Sequence, residues 1–394
     1  FRPDQRFTLR LTTKLEPEQE ARRLHDLVRD GGAVARICNR VDDAQAIYQA
    51  LEKLLPSDQR ILLHARFPLD QRQRLEQMID RLIGKRSQRT PSQPLIVVGT
   101  QVLEQSLDYD VDVMVSDFTP IDLLLQRAGR LHRHIKERAG KRPQRHMHPV
   151  LEVALPLDAD GLPDWKHWAP IYDPYILWRT WEVLRSGMNG AEREIVLPRD
   201  YRVLIEAVYQ DAPQVAPNTE YSAKMAKALT KLELSWADMR TLARKQLTPP
   251  SNLADAIIDT GGIEFVEDED GKLAGWQIAK TRLGDRVTVV PLYRVDGQLA
   301  LDKGGTWPLS ADIPPELDDQ KAMIGRSVPV SDPKIIAEFR AGERRELAWR
   351  WSQTPSLLRS LFPLVLNTKG VAVFDGRTVR LDLELGLVIE KEEV

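Results

Sequence analysis

Residues 34 to 155 alternate short, almost wholly apolar runs with segments whose apolar residues recur every three or four positions. Runs that are apolar on both faces are typical of strands in a parallel sheet covered by helices on both sides. The alternation therefore predicts an α/β fold with a parallel sheet. The predicted strands are Ala33–Cys38, Ile61–His64, Leu95–Gly99, Val111–Ser116 and Val150–Leu155.

Three amphipathic helices are predicted between these runs. The first begins near Asp42 or Asp43, either of which suits an N-cap, and the second spans about Pro68–Ile83. The third runs from Pro120 to about His132, with Thr119 as its cap and the proline in its first turn. Their apolar faces consist, in order, of Ile47, Leu51, Leu54 and Leu55; Leu75, Ile79, Leu82 and Ile83; and Ile121, Leu124, Leu125 and Ala128.

A chain of 394 residues is too long for one ordinary core, so we expect several domains. Residues 1–155 form the α/β domain, 156–261 a helical linker and 262–394 an α+β domain that begins near Gly262. In the linker, tryptophan spacing favours core packing over base stacking. The tryptophans are Trp165, Trp168, Trp178 and Trp181, and a later helix is predicted from Met225, Leu229, Leu232, Trp236 and Met239. Hairpin turns are predicted at the Asp-Gly pairs 270–271, 296–297 and 375–376.

The composition indicates a protein of the cytoplasm without a membrane span. No apolar run is long enough to cross a bilayer, and residues 1–20 alternate charged with apolar residues, unlike a signal peptide. Cys38 is the single cysteine, which excludes an internal disulfide and a thiolate zinc cluster and suits a reducing compartment. The net charge of −2 says little about an anionic partner, although basic residues are concentrated between Arg127 and Arg145.

The strongest chemical signal is the segment QRAGRLHR at residues 126–133. A phosphoryl group in its transition state is stabilised by positive charge on its oxygens, and guanidinium groups supply this charge as planar, permanently ionised donors. Arg130 and Arg133 are three positions apart, so we expect both on one helical face, with Gly129 allowing close approach. Such a pair also occurs on ordinary solvated helices, so its interpretation depends on the neighbouring segments.

Polar residues follow several predicted strands, at the sheet edge where open α/β folds bind ligands. Thr100 suits a hydrogen bond to a backbone phosphate. Asp108 suits a nucleotide hydroxyl or an anchor for one of the arginines. The segments 39–40 and 64–66 add donors for phosphate oxygens, although a structural role is the simpler interpretation of His64 alone. Together these loops predict a single surface for nucleic acid and nucleotide.

These segments resemble motifs IV, V and VI of superfamily 2 helicases in order and spacing. TQVLEQSLD at 100–108 and LLQRAGRLHRH at 124–134 are similar to the signature helicase-nuclease of type I CRISPR systems, as is HARF at 64–67. GRSVP at 325–329 and ELGLV at 384–388 resemble segments of that family's accessory domain. The resemblance implies that residues 1–155 form a second RecA-like domain with a parallel sheet, followed by a helical linker and an α+β C-terminal accessory domain.

The resemblance also implies roles for individual residues. Arg130, Arg133 and Gln126 would be catalytic, and Asp108, Gln105 and Arg127 would bind the nucleotide. The implied nucleic-acid contacts are Thr100, Gln101, Asn39, Arg40, His64 and Arg66. The family's activity would be ATP-dependent, 3′ to 5′ translocation on single-stranded DNA after recruitment by an RNA-guided CRISPR surveillance complex, with DNA cut by a separate nuclease domain.

Parts of such a machine are missing from this sequence. It has no G-x-x-x-x-G-K-[ST] phosphate loop and no DExD/H box, and DEDG at 268–271 is read as a hairpin turn. The dipeptide His25-Asp26 has no second histidine cluster for a nuclease metal. We therefore expect the nuclease and first RecA-like domains upstream, ATP and Mg²⁺ bound mainly there, and no cofactor held tightly here. The alternatives are a free-standing nucleic-acid-binding or adaptor module and an RNA helicase of the same superfamily.

The histidines and the basic segment behind the arginine pair were the remaining candidates for ligand binding. His132, His134, His146 and His148 form two i, i+2 pairs, but their basic surroundings would repel a cation, so no metal site is expected. The segment 136–145 suits neutralisation of DNA phosphates, and a merely solvated loop explains it equally well.

Overall fold

The computed structural model describes residues 5–105, 107–210, 213–246, 266–267, 273–274, 286–309, 315–341 and 357–391. The chain divides into two compact units, Phe1–Gln214 with Arg286–Val394, and Val215–Asp285. Among the described helices, none is both long and apolar enough to cross a membrane.

The N-terminal part of the larger unit is built on one seven-stranded sheet. Its strands are β1 (Gln5–Thr13), β2 (Gly32–Ile37), β3 (Arg60–Leu63), β4 (Pro94–Gly99), β5 (Val113–Asp117), β6 (Val150–Leu155) and β7 (Glu192–Leu197). They lie in the order β3-β4-β2-β5-β6-β1-β7, and every pair is parallel except β1 with β7. The predicted parallel sheet and its central strands are therefore confirmed.

Two strands of this sheet were not predicted. In β1, Phe7 and Leu9 are buried while the polar residues between and around them are partly exposed. The alternation of charged and apolar residues over 1–20 is itself the signature of such a half-buried strand. The other, β7, lies well beyond residue 155, so the domain boundary expected there falls inside the sheet.

Helices cover both faces of this sheet. They are α1 (Pro17–Val28), α2 (Val41–Glu52), α3 (Leu69–Ile83), α4 (Val102–Gln105), α5 (Ile121–Ala128), α6 (Pro174–Arg185) and α7 (Tyr201–Val208). The predicted caps were wrong: α2 begins after Arg40 and α5 after Pro120, each without a side-chain cap. Asp42 and Asp43 are the second and third residues of α2, and they pair with basic side chains instead.

A buried ion cluster crosses the centre of the sheet. The Arg36 guanidinium, 1% exposed, lies 2.6 Å from both Glu20 Oε1 on α1 and Asp117 Oδ1 at the end of β5. Burial acts to lower the pKa of Arg36, but the neighbouring carboxylates raise it above its ordinary value. A charge in an apolar strand requires such partners, and here they fix the end of β5.

The four linker tryptophans pack together in the core, as predicted. All are buried, and Trp165 contacts both Trp168 and Trp178, with ring centroids 6.4 and 5.6 Å away. Trp165 also stacks on Phe118, directly after β5, at 5.1 Å. This segment is therefore attached to the end of the sheet and does not offer its rings for base stacking.

The smaller unit contains α8 (Ser222–Gln246), which confirms the helix predicted from Met225 to Met239. Two short strands, β8 (Val266–Glu267) and β9 (Leu273–Ala274), pair antiparallel. The predicted turn at Asp270-Gly271 lies between them, outside the described residues, as do Gly262 and the boundary expected at residue 261.

The C-terminal part of the larger unit is α+β. One sheet contains β10 (Val287–Val295), β11 (Gln298–Ala300), β12 (Pro308–Leu309), β13 (Val328–Val330) and β14 (Leu361–Leu366). An antiparallel sheet follows with β15 (Val371–Phe374), β16 (Arg377–Asp382) and β17 (Gly386–Lys391). The helices are α9 (Leu317–Gly325) and α10 (Pro333–Arg340). Both predicted hairpin turns here are confirmed, at 296–297 and 375–376.

The turn between β16 and β17 docks on the N-terminal part at α2 and the β3–α3 loop. The Gln45 carboxamide donates to the carbonyls of Leu385 and Leu387, at 2.7 and 3.3 Å. The Leu387 N–H donates to the Arg66 carbonyl at 2.8 Å. At Gly386, where φ is +67°, a Cβ atom would lie 2.8 Å from that carbonyl. The contact therefore requires glycine and holds the β3–α3 loop in place.

Candidate nucleic-acid and nucleotide site

Asn39, expected to contact nucleic acid, is held rigidly at the carboxyl end of β2. Its backbone N–H donates to Asp117 Oδ2 and its carboxamide donates to the Phe118 carbonyl, both at 2.8 Å. Burial raises the pKa of Asp117, but the Arg36 charge lowers it below its ordinary range overall, so this acceptor is ionised. The ion cluster at the end of β5 thus positions the loop that follows β2.

Thr100 and Gln101 follow β4 and lie beside Asn39. The Thr100 N–H donates to the Leu63 carbonyl at 3.2 Å, which joins the ends of β3 and β4. The Gln101 carboxamide donates to the Asn39 carbonyl at 3.2 Å and to the Tyr172 hydroxyl at 3.1 Å. The structure therefore brings these three predicted residues together at one sheet edge.

His64 is part of the protein interior. Its ring is 0% exposed, accepts the Arg66 N–H at Nδ1 and stacks on Phe67 with centroids 4.5 Å apart. Burial, followed by the Arg66 charge, lowers the pKa of His64 to about 3. The ring is neutral and has no surface for a ligand, so its expected contact with nucleic acid is replaced by a structural role.

Arg40 and Arg66 share one carboxylate. Asp42 accepts from Arg66 at 2.6 Å and from Arg40 at 3.0 Å. Burial raises the pKa of Asp42, but the Arg66 charge lowers it below its ordinary value overall. Both guanidinium groups are partly exposed, so a phosphate has access to them but competes with Asp42 for their N–H groups.

Arg127, expected to bind the nucleotide, is fully buried. Its Nε and one terminal nitrogen donate to the Glu104 carboxylate, while the other donates to the Ser116 hydroxyl at 2.6 Å and the Asp117 carbonyl at 3.1 Å. Its last N–H points to the Tyr172 hydroxyl, 3.5 Å away. All five guanidinium N–H groups are therefore engaged within the protein, and the nucleotide contact does not fit this geometry.

Arg130 and Arg133 lie beyond α5, which ends at Ala128. Gly129 caps the helix, and the chain then turns back, so that the Val111 N–H bonds the Arg130 carbonyl at 3.2 Å. His132, with φ at +44°, completes the turn. The prediction that one helical face presents both arginines was wrong, because the backbone leaves the helix before either one.

Protein acceptors orient both arginines within this turn. Arg130 donates to the Glu104 carbonyl at 2.9 Å and lies 5.7 Å from the centre of the Tyr109 ring. Arg133 donates through Nε to the Asp108 carboxylate, which is about half exposed. Partial burial raises the pKa of Asp108, but Arg133 lowers it below its ordinary value overall. Of its two expected roles, Asp108 has that of anchor for an arginine.

The other two predicted residues of this group add less. Gln126 is exposed on α5, one residue before the buried Arg127. Gln105 ends α4, but its side chain lies outside the described part of the chain.

The backbones that carry the two groups of predicted residues are anchored at opposite ends of β5, although the Arg130 side chain reaches α4 one turn from Gln101. Asn39 is bonded to Asp117, the last residue of β5. The turn at residues 129–133, which we call the arginine turn, is instead bonded to Val111, shortly before β5 begins. A five-residue strand spans on the order of 15 Å. The helix α4 runs between these positions, with Gln101 preceding it and Glu104 within it.

The basic segment 136–145 forms a clasp, in which Arg138 and Arg142 lie against Asp110 and Asp112. Arg142 donates to both Asp110 and Asp112, at 2.8 and 2.6 Å, and Arg138 is buried beside the same carboxylates. Burial acts to raise the pKa of Asp110, and it remains above its ordinary value despite Arg142. These two arginines are therefore withdrawn from DNA, whereas Lys136, Lys141 and Arg145 are exposed, the last of them paired with Asp26.

Two of the histidines near this clasp are also structural. His132 Nε2 lies 3.2 Å from the Asp112 carbonyl and His146 Nε2 lies 2.7 Å from that of Leu27. Burial, followed by the Arg142 charge, lowers the pKa of His132 to about 4. Across the described residues, no group of three or more histidine, cysteine or acidic side chains is placed to hold a metal ion.

Sequence reasoning missed the residues that position the site. Glu104 was visible in the segment TQVLEQSLD, but its role as the partner of Arg127 was not inferred. Asp117 ends an apolar strand, and a buried basic residue in the neighbouring strand, Arg36, was the available signal for an ion pair. No local pattern indicated Tyr172, which reaches the site only through the packing of the tryptophan segment.

Two family models match the chain. The one described as "CRISPR-associated nuclease/helicase Cas3, C-terminal" matches residues 30–136, and the one described as "Cas3 C-terminal domain" matches residues 282–387. A curated relative, "CRISPR-associated endonuclease/helicase Cas3" of Thermus thermophilus, is 37% identical over 337 residues, covering 83% of this chain and 34% of the relative. The chain thus spans about a third of that relative's length.

Solved structures agree with these matches. The crystal structure of T. fusca Cas3-AMPPNP has a TM-score of 0.78 and 30% identity, covering 98% of this chain and 43% of that one. A chain of "CRISPR RNA-guided surveillance complex, pre-nicking" has a TM-score of 0.73 and 28% identity, covering 98% and 45%. The similarity extends over both parts of the larger unit.

Proposed function

Because this chain belongs to the CRISPR-associated nuclease/helicase Cas3 family, we propose that it forms the C-terminal half of an ATP-dependent single-stranded DNA translocase and helicase. Its second RecA-like domain is residues 1–155 together with β7 from the segment 156–261, the rest of that segment is the linker, and residues 262–394 are the accessory domain. In the complete protein an upstream nuclease cuts the translocated strand during CRISPR interference against foreign DNA.

The observation that supports this most is the pair of oriented arginines. Arg133 is held at the surface by Asp108, and its remaining terminal N–H groups have only the Gly129 carbonyl as a partner among the described residues. Arg130 is oriented by the Glu104 carbonyl. The sequence has no phosphate loop, so the arginines suit a composite site in which another domain holds ATP and Mg²⁺. No cofactor is held tightly by this half alone.

The nucleic-acid contact is proposed at the carboxyl edge of the sheet. Thr100 and Gln101 adjoin Asn39 there, and Arg40 and Arg66 lie on the adjacent loops. The surveillance complex is proposed as the partner that recruits the protein, since a structure of that name contains a chain similar to this one.

The test is the complete protein with Arg130→Ala or Arg133→Ala. An arginine finger contributes on the order of 10³ to 10⁵ in rate, so single-stranded-DNA-stimulated ATP hydrolysis should fall by factors in this range while DNA affinity is retained. Arg133→Lys should restore little activity, because lysine lacks the bidentate fork. The matched control is Arg22→Ala, which removes an exposed arginine from α1. Normal turnover in both variants, or parallel loss of DNA binding, contradicts the assignment.

The separate chain should hydrolyse no ATP above background, even with single-stranded DNA present. It should bind DNA weakly, with log affinity falling against log salt at a slope of about −0.7 per phosphate contact. DNA-stimulated turnover by the chain alone would overturn the half-motor proposal. Salt-independent binding would count against phosphate recognition. Comparing DNA-tailed with RNA-tailed duplexes in the complete protein distinguishes a DNA helicase from an RNA helicase.

A further inference from the structure

Tyr172 joins the two halves of the candidate site. Its hydroxyl accepts from the Gln101 carboxamide at 3.1 Å on one side and faces an Arg127 N–H at 3.5 Å on the other. Burial raises the pKa of Tyr172, so the hydroxyl is un-ionised at neutral pH. Among the described hydrogen bonds, the Gln101–Tyr172 bond is the one that joins a residue of the segment 156–261 to a residue predicted to bind nucleic acid.

The phenol is fixed by the turns on either side of it. The Tyr172 N–H donates to the Trp168 carbonyl at 2.9 Å, at the end of a turn that begins at Trp165. Trp165 stacks on Phe118, which ties this turn to the end of β5. The next residue, Asp173, caps α6 through its side chain. Because the chain is anchored on both sides of Tyr172, its hydroxyl is an acceptor with a fixed position for Gln101.

Gln101 has only two N–H donors on its side chain, and both are in use. One is bonded to the Asn39 carbonyl and the other to Tyr172. If the same amide is to donate to a phosphate oxygen, it must give up one of these acceptors. The Asn39 carbonyl belongs to a backbone that is bonded to the buried Asp117, so the Tyr172 hydroxyl is the acceptor that is more easily exchanged. Nucleic acid therefore competes with Tyr172 for Gln101.

The consequence of this competition reaches the arginine turn through α4. The Gln101 carbonyl accepts the Glu104 N–H at 3.0 Å, so the residues move as one short turn. The Glu104 carboxylate is bound by Arg127, and its carbonyl holds Arg130. A shift of Gln101 is thus conveyed over one helical turn to the acceptor that orients Arg130.

We propose that Tyr172 is a positioning residue whose hydroxyl holds Gln101 and α4 in the DNA-free arrangement until a strand displaces it. The proposal rests on the proposed function, because it takes Gln101 as a DNA contact and Arg130 as part of the ATP site. Loss of the hydroxyl removes the Gln101 contact that the free protein has and the DNA-bound protein lacks, together with the longer Arg127 contact that both states keep. DNA then binds more tightly, and its binding changes the position of Arg130 less.

The experiment compares Tyr172→Phe with wild type in the complete protein, using an unlabelled poly-dT stimulus and a fluorescent single strand for affinity. One neutral hydrogen bond corresponds to roughly a 2- to 12-fold change in an equilibrium constant. We expect the Kd for single-stranded DNA to fall by this factor and the ratio of stimulated to basal ATP hydrolysis to fall as well. A merely structural role would instead weaken DNA binding.

The matched control is Tyr175→Phe in the same segment. The Tyr175 hydroxyl donates to the Gln214 carbonyl at 2.9 Å and accepts its N–H at 2.8 Å, away from Gln101. This variant should keep the wild-type Kd and stimulation ratio even where its melting temperature falls. In a double-mutant cycle, Tyr172→Phe should have no effect on affinity when Gln101→Ala is already present.

The outcomes separate the two proposals. Tighter binding and a lower stimulation ratio in Tyr172→Phe alone support the positioning role. Unchanged or weaker binding, or an effect that persists without the Gln101 side chain, overturns it and leaves the proposed function intact. Wild-type protein whose ATP hydrolysis does not respond to single-stranded DNA would overturn the proposed function itself.

Discussion

His64 makes the protein's stability depend on pH, and the expected size follows from its burial. The ring is 0% exposed and lies between Phe67 and the turn that joins β16 and β17. Its pKa is lowered from 6.5 to about 3. The causes are burial and then the Arg66 charge, which outweigh the opposing charge of Asp42. Since the folded pKa lies below the unfolded one, the unfolded chain takes up the proton first. Stability is complete above the unfolded pKa and is lost as pH falls toward the folded one.

The loss is roughly 1.4 kcal/mol per pH unit between those two values. At about pH 5 the unfolded histidine is almost wholly protonated and the folded one almost wholly neutral, so His64 should cost about 2 kcal/mol of unfolding free energy relative to about pH 7.5. His132, with a pKa lowered to about 4, adds a loss of the same sign. The total dependence is therefore steeper than one histidine explains.

Urea unfolding of the chain at these two pH values, for wild type and His64→Gln, measures the difference. The variant should be less stable at neutral pH but should lose about 2 kcal/mol less on acidification. His167→Gln, which removes an exposed histidine, should behave as wild type. An NMR titration that gives His64 a pKa near its ordinary 6.5, or equal acid sensitivity in all three proteins, would refute the reasoning.

Three further substitutions test the packing of the site, each by urea unfolding. Gly386→Ala should cost about 1 to 3 kcal/mol, because it combines a left-handed backbone with a Cβ contact of 2.8 Å; a neutral effect would contradict the docking described for this turn. Arg127→Met should cost about 3 to 5 kcal/mol by leaving the Glu104 carboxylate unpaired, and adding Glu104→Gln should recover part of this. Arg142→Ala should cost a similar amount, about 3 to 5 kcal/mol, since two buried aspartates lose their shared partner; a change confined to DNA affinity would contradict the clasp.

The central strands could be predicted because each is buried on both faces and so is continuously apolar. β1 is paired on both sides but has one partly solvated face, so its apolar residues alternate with polar ones and it has no continuous apolar run. β7 follows residues 156–191, whose pattern is mixed, and pairs with the N-terminal strand β1, a long-range contact that local periodicity does not contain.

The arginine pair shows a different limit. Spacing continued the helical pattern through Leu131, an apolar residue at the right interval after Ala128. Leu131 is indeed buried, but in a bridge to Val111 and not on a helix. A buried apolar residue at this interval fits both a longer helix and the observed bridge, so its spacing does not distinguish the two backbones. The helix ends at Ala128, and the turn is completed by the positive φ of His132, which sequence spacing alone did not reveal.

The sequence shows which residues are charged but not which of them pair with each other in the fold. The segment 136–145 was read by its basic residues, yet its arginines need carboxylates that lie about thirty residues earlier. Asp110 and Asp112 precede a strand and carry no local sign of a partner. Arg127 was likewise grouped with the functional arginines of its segment, although only Arg130 and Arg133 lie where a ligand could meet them. A guanidinium can pair with a buried carboxylate or donate to a ligand, so the presence of an arginine does not determine its role.

The donors proposed to meet ligands share one property: each already has a protein acceptor. Arg133 is bonded to Asp108, Arg66 to Asp42, and Gln101 to Tyr172. A phosphate that binds them exchanges one hydrogen bond for another, and only the difference between the two contributes to affinity. For Arg66 and Gln101, the proposed DNA contacts, each hydrogen bond to the strand is consequently weak in net terms although the donor is well oriented. Under the proposed function, translocation requires that each contact to the strand be released, and these internal acceptors favour release because they can bind the donors again.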